Sequence, residues 1–372
     1  MDLALSEFQA LLQTSAREFF EHEVTFETFK EIDAADDRIH RSLWARIAQN
    51  GWPGIVLPAE SGGVEGSALD LGVLLEEFGR AAVNSPFRWT VLAGWVLAQA
   101  RPDSTRDAAL ANIAGGRSTW AVALQEPEAG YRRYGSGSVA APAGDGYVLS
   151  GQKAVVPYAG GADWMLVLTR IGGDPAALIV PANAPGLTFA RRNSIGGEPL
   201  YDVAFAEAPI PAGARLTFGG DTEATLDRAI DLGVLMICAE TVGLMAEMLR
   251  ATAAHVTQRV QFGRPIGTFQ AVHMRVSDTA TLVEGARLAT FEALDAWDRG
   301  ESWKRELHVV KAFISEAAIT VSWDAHLLHG GIGLTTESRL PYYTRKAKAN
   351  QLTLGQASDH YAGLAAELLG AI

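Results

Sequence analysis

Cysteine is almost absent from this 372-residue chain, where Cys238 stands alone among apolar neighbours. A single cysteine excludes an intramolecular disulfide framework and a thiolate metal cluster, and fits a reducing compartment. Positive charge is also scarce, with 31 Lys and Arg against 43 Asp and Glu and a net charge of -12. No dense basic tract of the kind that neutralises a phosphate backbone occurs, which argues against a nucleic-acid partner. Long hydrophobic runs are missing too. The longest apolar stretch, Leu232 to Ala239, falls far short of the roughly 20 residues that a bilayer span needs. The opening MDLALSEFQALLQ carries no basic region followed by an apolar core. The expectation is a soluble, cytoplasmic protein with no membrane span.

What is present is ordinary globular composition, with 48% hydrophobic and 20% charged residues. The length allows two or three domains. Residues 1–117 read as helical, because apolar positions recur at spacings of three and four, as in Phe8, Leu11, Leu12 and in Leu43, Trp44, Ile47. The stretch Gly51 to Gly63 breaks this pattern with Gly and Pro. From Thr119 the pattern turns to short strand-like runs at Trp120–Leu124, Tyr147–Leu149, Trp164–Leu168, Ala177–Val180 and Val203–Phe205. Residues 118–218 are therefore expected to form a small all-β domain. From Thr222 onward the chain reads as long helices, and the first is apolar on most of its sides, which places it at the centre of a bundle or in a subunit interface. The expected class is α+β, with an N-terminal helical domain (1–117), a central small β-barrel (118–218) and a C-terminal four-helix bundle (219–372).

Two familiar motifs do not carry through. Gly135 to Ala140 has the letters of a dinucleotide-binding glycine fingerprint, but Pro142 and Gly144 follow at once and leave no helix start for a pyrophosphate, so a β-turn is expected. His326 and His329 lie one turn apart without a third ligand at helical spacing, so no metal site is expected.

The most specific pattern is Gln258-Arg259-Val260-Gln261-Phe262-Gly263-Arg264-Pro265-Ile266-Gly267-Thr268-Phe269-Gln270. On physical grounds alone, an Arg before a Phe-Gly break and a Gln at the next helix start suit a phosphate and a planar ring, and equally suit plain helix punctuation. The stretch resembles a signature of the acyl-CoA dehydrogenase family. So do His329-Gly330-Gly331-Ile332-Gly333 and Tyr343 to Lys348, the early segments Leu57 to Gly63 and Glu76 to Arg80, and, in the β-region, Leu124 to Gly130 with Gly151-Gln152-Lys153. The resemblance covers the whole chain. It implies FAD held between subunits, an acyl-CoA substrate, a homo- or hetero-oligomer, and electron-transfer flavoprotein as a further partner. It assigns cofactor contacts to Arg259, Phe262, Gly263, Gln270, Gly330 and Gly331.

In that family a carboxylate takes the α-proton of the thioester while the β-hydrogen leaves as hydride. Here the position usual for that carboxylate aligns with Leu354, and the alternative one falls at Gly233. Asp231 is nearest but is turned about 200° from Gly233 on a helix. The catalytic residue is therefore unknown. The flavin wall departs as well, reading Gln125-Glu126-Pro127, Gly130-Tyr131-Arg132 and Val155-Val156-Pro157 where the family has Thr-Glu-Pro, Gly-Ser-Asp and Trp-Ile-Thr; Leu327 replaces a Gln. Losses on one side of the site, with the interface elements kept, resemble the base-lacking subunits of actinobacterial heterotetramers that act on CoA thioesters of fatty acids or steroid side chains. A stand-alone enzyme with an unrecognised base and a flavin-free structural or regulatory relative are the alternatives. The cluster Arg339, Arg345, Lys346, Lys348 is read as a CoA contact or a solvated face.

Overall fold

The computed structural model describes residues 4–34, 39–127, 129, 137–301 and 303–370. Six helices come first: α1 (Glu7–Glu23), α2 (Phe26–Ala34), α3 (Arg41–Gln49), α4 (Ala68–Ala81), α5 (Phe87–Gln99) and α6 (Ser104–Ala114). Local chemistry starts them. Ser6 and Gln9 form a reciprocal capping box on α1, and the Asp103 carboxylate accepts the first free N–H groups of α6, from Thr105 and Arg106.

Seven strands follow: β1 (Trp120–Ala123), β2 (Ser138–Ala143), β3 (Gly146–Pro157), β4 (Trp164–Ile171), β5 (Asp174–Pro181), β6 (Leu187–Arg192) and β7 (Leu200–Ile210). They form one mixed sheet in the order β1-β4-β2-β3-β7-β6, with β5 on β4. All five expected runs lie in strands except for Leu124, which follows the end of β1. β2 and β6 carry too little apolar alternation to stand out. The turn expected at Gly135 to Ala140 is corrected in part: Ser138 to Ala140 pair with Gly151 to Leu149 as β2, because the sheet supplies their hydrogen bonds, while Gly135 and Ser136 lie outside the described residues.

The chain then runs through α7 (Thr222–Gln258), a two-residue pairing of β8 (Val260–Gln261) with β9 (Arg264–Pro265), α8 (Gln270–Asp298), α9 (Trp303–His329), α10 (Leu340–Leu352) and α11 (Ala357–Leu369). α7 is long and apolar enough to cross a bilayer, but its apolar window is wholly buried, as in a core helix.

Contacts divide the chain into two compact units. The first comprises Met1–Phe29, Ala68–Val83 and Val234–Ile372; the second comprises Lys30–Ser67 and Asn84–Gly233. In the second, α5 is buried nearly all round, and the Thr90 hydroxyl accepts the Trp120 N–H at 2.9 Å, tying helix to sheet. In the first, α9 packs on α8, α10 and α11. α4 and α7 cross almost backbone to backbone. A Cβ on Gly79 would fall 1.9 Å from the Glu240 carbonyl oxygen, and one on Gly243 1.8 Å from that of Glu76. This contact accounts for the glycine in the Glu76 to Arg80 motif.

Candidate functional site

In the first unit the α7–α8 connection is a tight hairpin. Phe262 and Gly263 form its turn with φ of 53° and 80°, both left-handed. Such hairpin turns favour Asn-Gly, because a side chain at positive φ crowds the backbone. Phe262 accepts that strain and is 92% exposed, its ring meeting Phe269 edge-on at 6.0 Å. Arg264 lies over the other aromatic, 4.2 Å from the Phe269 centroid. Gln270 opens α8 and is exposed, as is Arg259 at the end of α7.

The tertiary structure joins this hairpin to the Gly330-Gly331 pair. His255, one turn before Arg259, stacks on His329 with centroids 4.5 Å apart, so the ends of α7 and α9 meet. Gly330 (φ 64°) and Gly331 follow directly, exposed and with open space where a Cβ would sit. Burial, then His329, then Arg259 hold the His255 imidazole below its ordinary pKa. The His326 Nε2 meets the Thr344 hydroxyl at 3.1 Å. Arg259, Phe262, Gly263, Gln270, Gly330 and Gly331 thus share one exposed end of the first unit.

Leu354 lies in the same unit, between α10 and α11, at φ 56° with Gly355 at 106°. The strained turn is present, but its side chain is a hydrocarbon. Behind it His308 Nδ1 and His360 Nδ1 are 3.0 Å apart, and His360 Nε2 meets the Leu354 carbonyl at 3.2 Å. Burial pushes the His360 pKa down to about 4. The basic cluster is dispersed. Lys346 is buried against Glu240 (2.9 Å) and the Val83 carbonyl, Lys348 donates to Gln351, Arg345 to the Pro341 carbonyl, and Arg339 to the Val24 carbonyl.

In the second unit, Asp231 is fully buried, and Gly233 is buried with it. The buried Lys153 ammonium donates to Glu126 (2.8 Å) and to the Leu124 carbonyl. Glu126 also accepts from the Gly137 and Ser138 N–H groups and the Ser138 hydroxyl. Burial raises the Glu126 pKa, but Lys153 and these donors outweigh it and hold the carboxyl below its usual range. Beyond Lys153, β3 bulges against β7 and Val155 takes φ 50°, its N–H donated to Asp202 at 3.2 Å. A β-branched residue at positive φ is a genuine outlier, and no sequence signal announced it. Glu128, Gly130, Tyr131 and Arg132 lie outside the described residues.

Acyl-CoA dehydrogenase family models match the chain at residues 6–117 (N-terminal domain), 121–207 (middle domain) and 224–368 (C-terminal domain). The chain belongs to the acyl-CoA dehydrogenase family. The probable acyl-CoA dehydrogenase YngJ of Bacillus subtilis is 26% identical, over 99% of this chain and 100% of its own. Among solved structures, a variant of the Tcur3481-Tcur3483 steroid ACAD is 30% identical with a TM-score of 0.90, covering 98% of this chain and 99% of that one. The ChsE4-ChsE5 complex from Mycobacterium tuberculosis is 25% identical with a TM-score of 0.92, and both chains are covered completely.

FAD is the cofactor of this acyl-CoA dehydrogenase family, and the hairpin end and the strand side of the chain differ in the groups they present. The hairpin end offers an unstacked aromatic, a guanidinium, an amide and glycines with open space. The strand side offers Val155, whose N–H is taken by Asp202, and Pro157, which has no N–H.

Proposed function

We propose that this chain is the base-lacking subunit of a heteromeric acyl-CoA dehydrogenase. The observation that carries the reading is the contrast between Phe262, held strained and exposed where a flavin would need it, and Leu354, which fills the turn of the usual base with a side chain unable to accept a proton. Bound FAD would supply the hydride acceptor. Arg259 and Gln270 would hold its polar groups from across the subunit boundary, and Phe262 would pack beside it while Gly263, Gly330 and Gly331 admit close backbone approach. The proton-abstracting carboxylate would come from a homologous partner subunit. The substrate class is an acyl-CoA thioester of fatty-acid or steroid side-chain type, electron-transfer flavoprotein is the outlet for electrons, and the cytoplasm is the location. Within this reading, residues 1–117, 118–218 and 219–372 are the functional domains.

A second reading is a homo-oligomeric enzyme with another base. It rests on the His308–His360 pair against the Leu354 carbonyl. One experiment separates the two: FAD per chain by visible absorption and assembly mass, for this chain alone and co-expressed with a homologous subunit. Flavin at one per two chains, found only in the mixed assembly, is the expected result. One FAD per chain in a homo-oligomer would overturn it, and FAD in no assembly would leave a structural relative. Arg259→Ala is expected to weaken flavin retention in the complex by about tenfold, the loss of one charge-assisted contact.

A further inference from the structure

Four arginines from four elements of the first unit meet around one cavity of about 400 Å³: Arg17 of α1, Arg80 of α4, Arg250 of α7 and Arg339 at the head of α10. Core packing does not require such a meeting, since like charges repel and each guanidinium carries five donors that need acceptors or water. Two of them have full partners. Arg17 forks onto Glu77 at 3.1 and 2.7 Å, and Arg250 forks onto Glu247 at 2.7 and 2.5 Å.

The other two have donors to spare. Arg80 gives Nη2 to Glu76 at 2.9 Å, but its Nε is buried without a hydrogen-bond partner, 3.4 Å from the nearest Glu77 oxygen. Arg339 gives Nη2 to the Val24 carbonyl at 3.1 Å, hydrogen-bonds the Tyr343 hydroxyl and lies over the Phe26 ring, with no carboxylate ion pair among the described residues. Glu21, Glu77 and Glu247 are the carboxylates in the lining, so four cations face three anions. The remaining wall includes Phe20 and Val24, and the cavity is in the size range of small-molecule pockets, larger than a bare inorganic ion needs. No residue of the 259–270 connection lines it.

We propose that this cavity binds a small organic oxyanion, a phosphomonoester or carboxylate, with its charged head on Arg339 and Arg80 and its body along Phe20 and Val24. The forked ion pairs of Arg17 and Arg250 brace the walls, and the bound oxyanion adds a fourth negative charge to the three lining carboxylates.

Isothermal titration of the full-length chain with phenyl phosphate, benzoate and inorganic phosphate tests this at fixed ionic strength. Saturable binding of phenyl phosphate or benzoate is expected, tighter than that of inorganic phosphate, and the tighter of the two identifies the head group. Arg339→Met is expected to weaken it roughly tenfold or more, the loss of a charge-assisted contact, while Arg259→Ala leaves it unchanged. Should Arg339→Met not fold, Arg339→Lys keeps the charge, loses the fork and is expected to weaken binding as well. Three results would overturn the proposal: no saturation by either organic probe, affinity unaltered in the Arg339 variants, or affinity lost in Arg259→Ala. Inorganic phosphate binding as tightly as both organic probes would overturn the organic body.

Discussion

Phe262 spends stability on its position. A non-glycine residue in the left-handed region costs roughly 1–2 kcal/mol, and a ring that is 92% exposed recovers little of it through burial in this chain. Phe262→Gly is therefore expected to leave the isolated chain equally stable, or more stable by up to about 1 kcal/mol, in urea denaturation, while flavin retention in the complex falls. An increase in stability coupled to a loss of flavin is the signature of a residue kept for binding. Cys238 is the opposite kind of residue. Burial pushes its thiol up to about 12, so it is a packed side chain without thiolate character. A thiol reagent is expected to leave the folded chain unmodified and to titrate one thiol after denaturation; rapid labelling of the native chain would contradict this.

Individual elements are held by contacts that their own sequences only hint at. β3 is anchored by the Lys153–Glu126 pair, both partners buried. Lys153→Met leaves the Glu126 carboxylate without its counter-ion and is expected to cost about 3–5 kcal/mol in unfolding free energy. Adding Glu126→Gln to it is expected to recover much of that loss, which a double-mutant cycle measures. The α4–α7 crossing depends on volume instead. Gly243→Ala places a methyl inside van der Waals contact with the Glu76 carbonyl and is expected to cost on the order of 1–3 kcal/mol by forcing the helices apart. Thermal unfolding of the two variants compares an electrostatic anchor with a steric one.

For the whole molecule, the buried His360 sets an acid limit. Its imidazole stays neutral in the folded chain down to about pH 4, whereas the unfolded chain takes up the proton near the ordinary histidine value of 6.5. Stability is expected to be fully present above about pH 6.5 and to fall as pH drops toward 4, by on the order of 3 kcal/mol. Denaturant midpoints across that range check this, and His360→Asn is expected to flatten the profile.

The helical segments, most of the strands and the family were legible in the chain because they depend on periodicity and on contiguous motifs, which are local. That Leu354 and Gly233 carry no titratable side chain was legible for the same reason. The left-handed turn at Val155, the meeting of His255 with His329, the burial of Lys346 against Glu240 and the convergence of Arg17, Arg80, Arg250 and Arg339 were not. Each of the last three joins residues dozens to hundreds of positions apart, and the first is imposed by the bulge against β7. By itself the sequence determined which elements form and which chemical groups are available. Only the tertiary structure decided which charges lose water and meet, since desolvation and pairing are properties of packed surfaces rather than of neighbours along a chain.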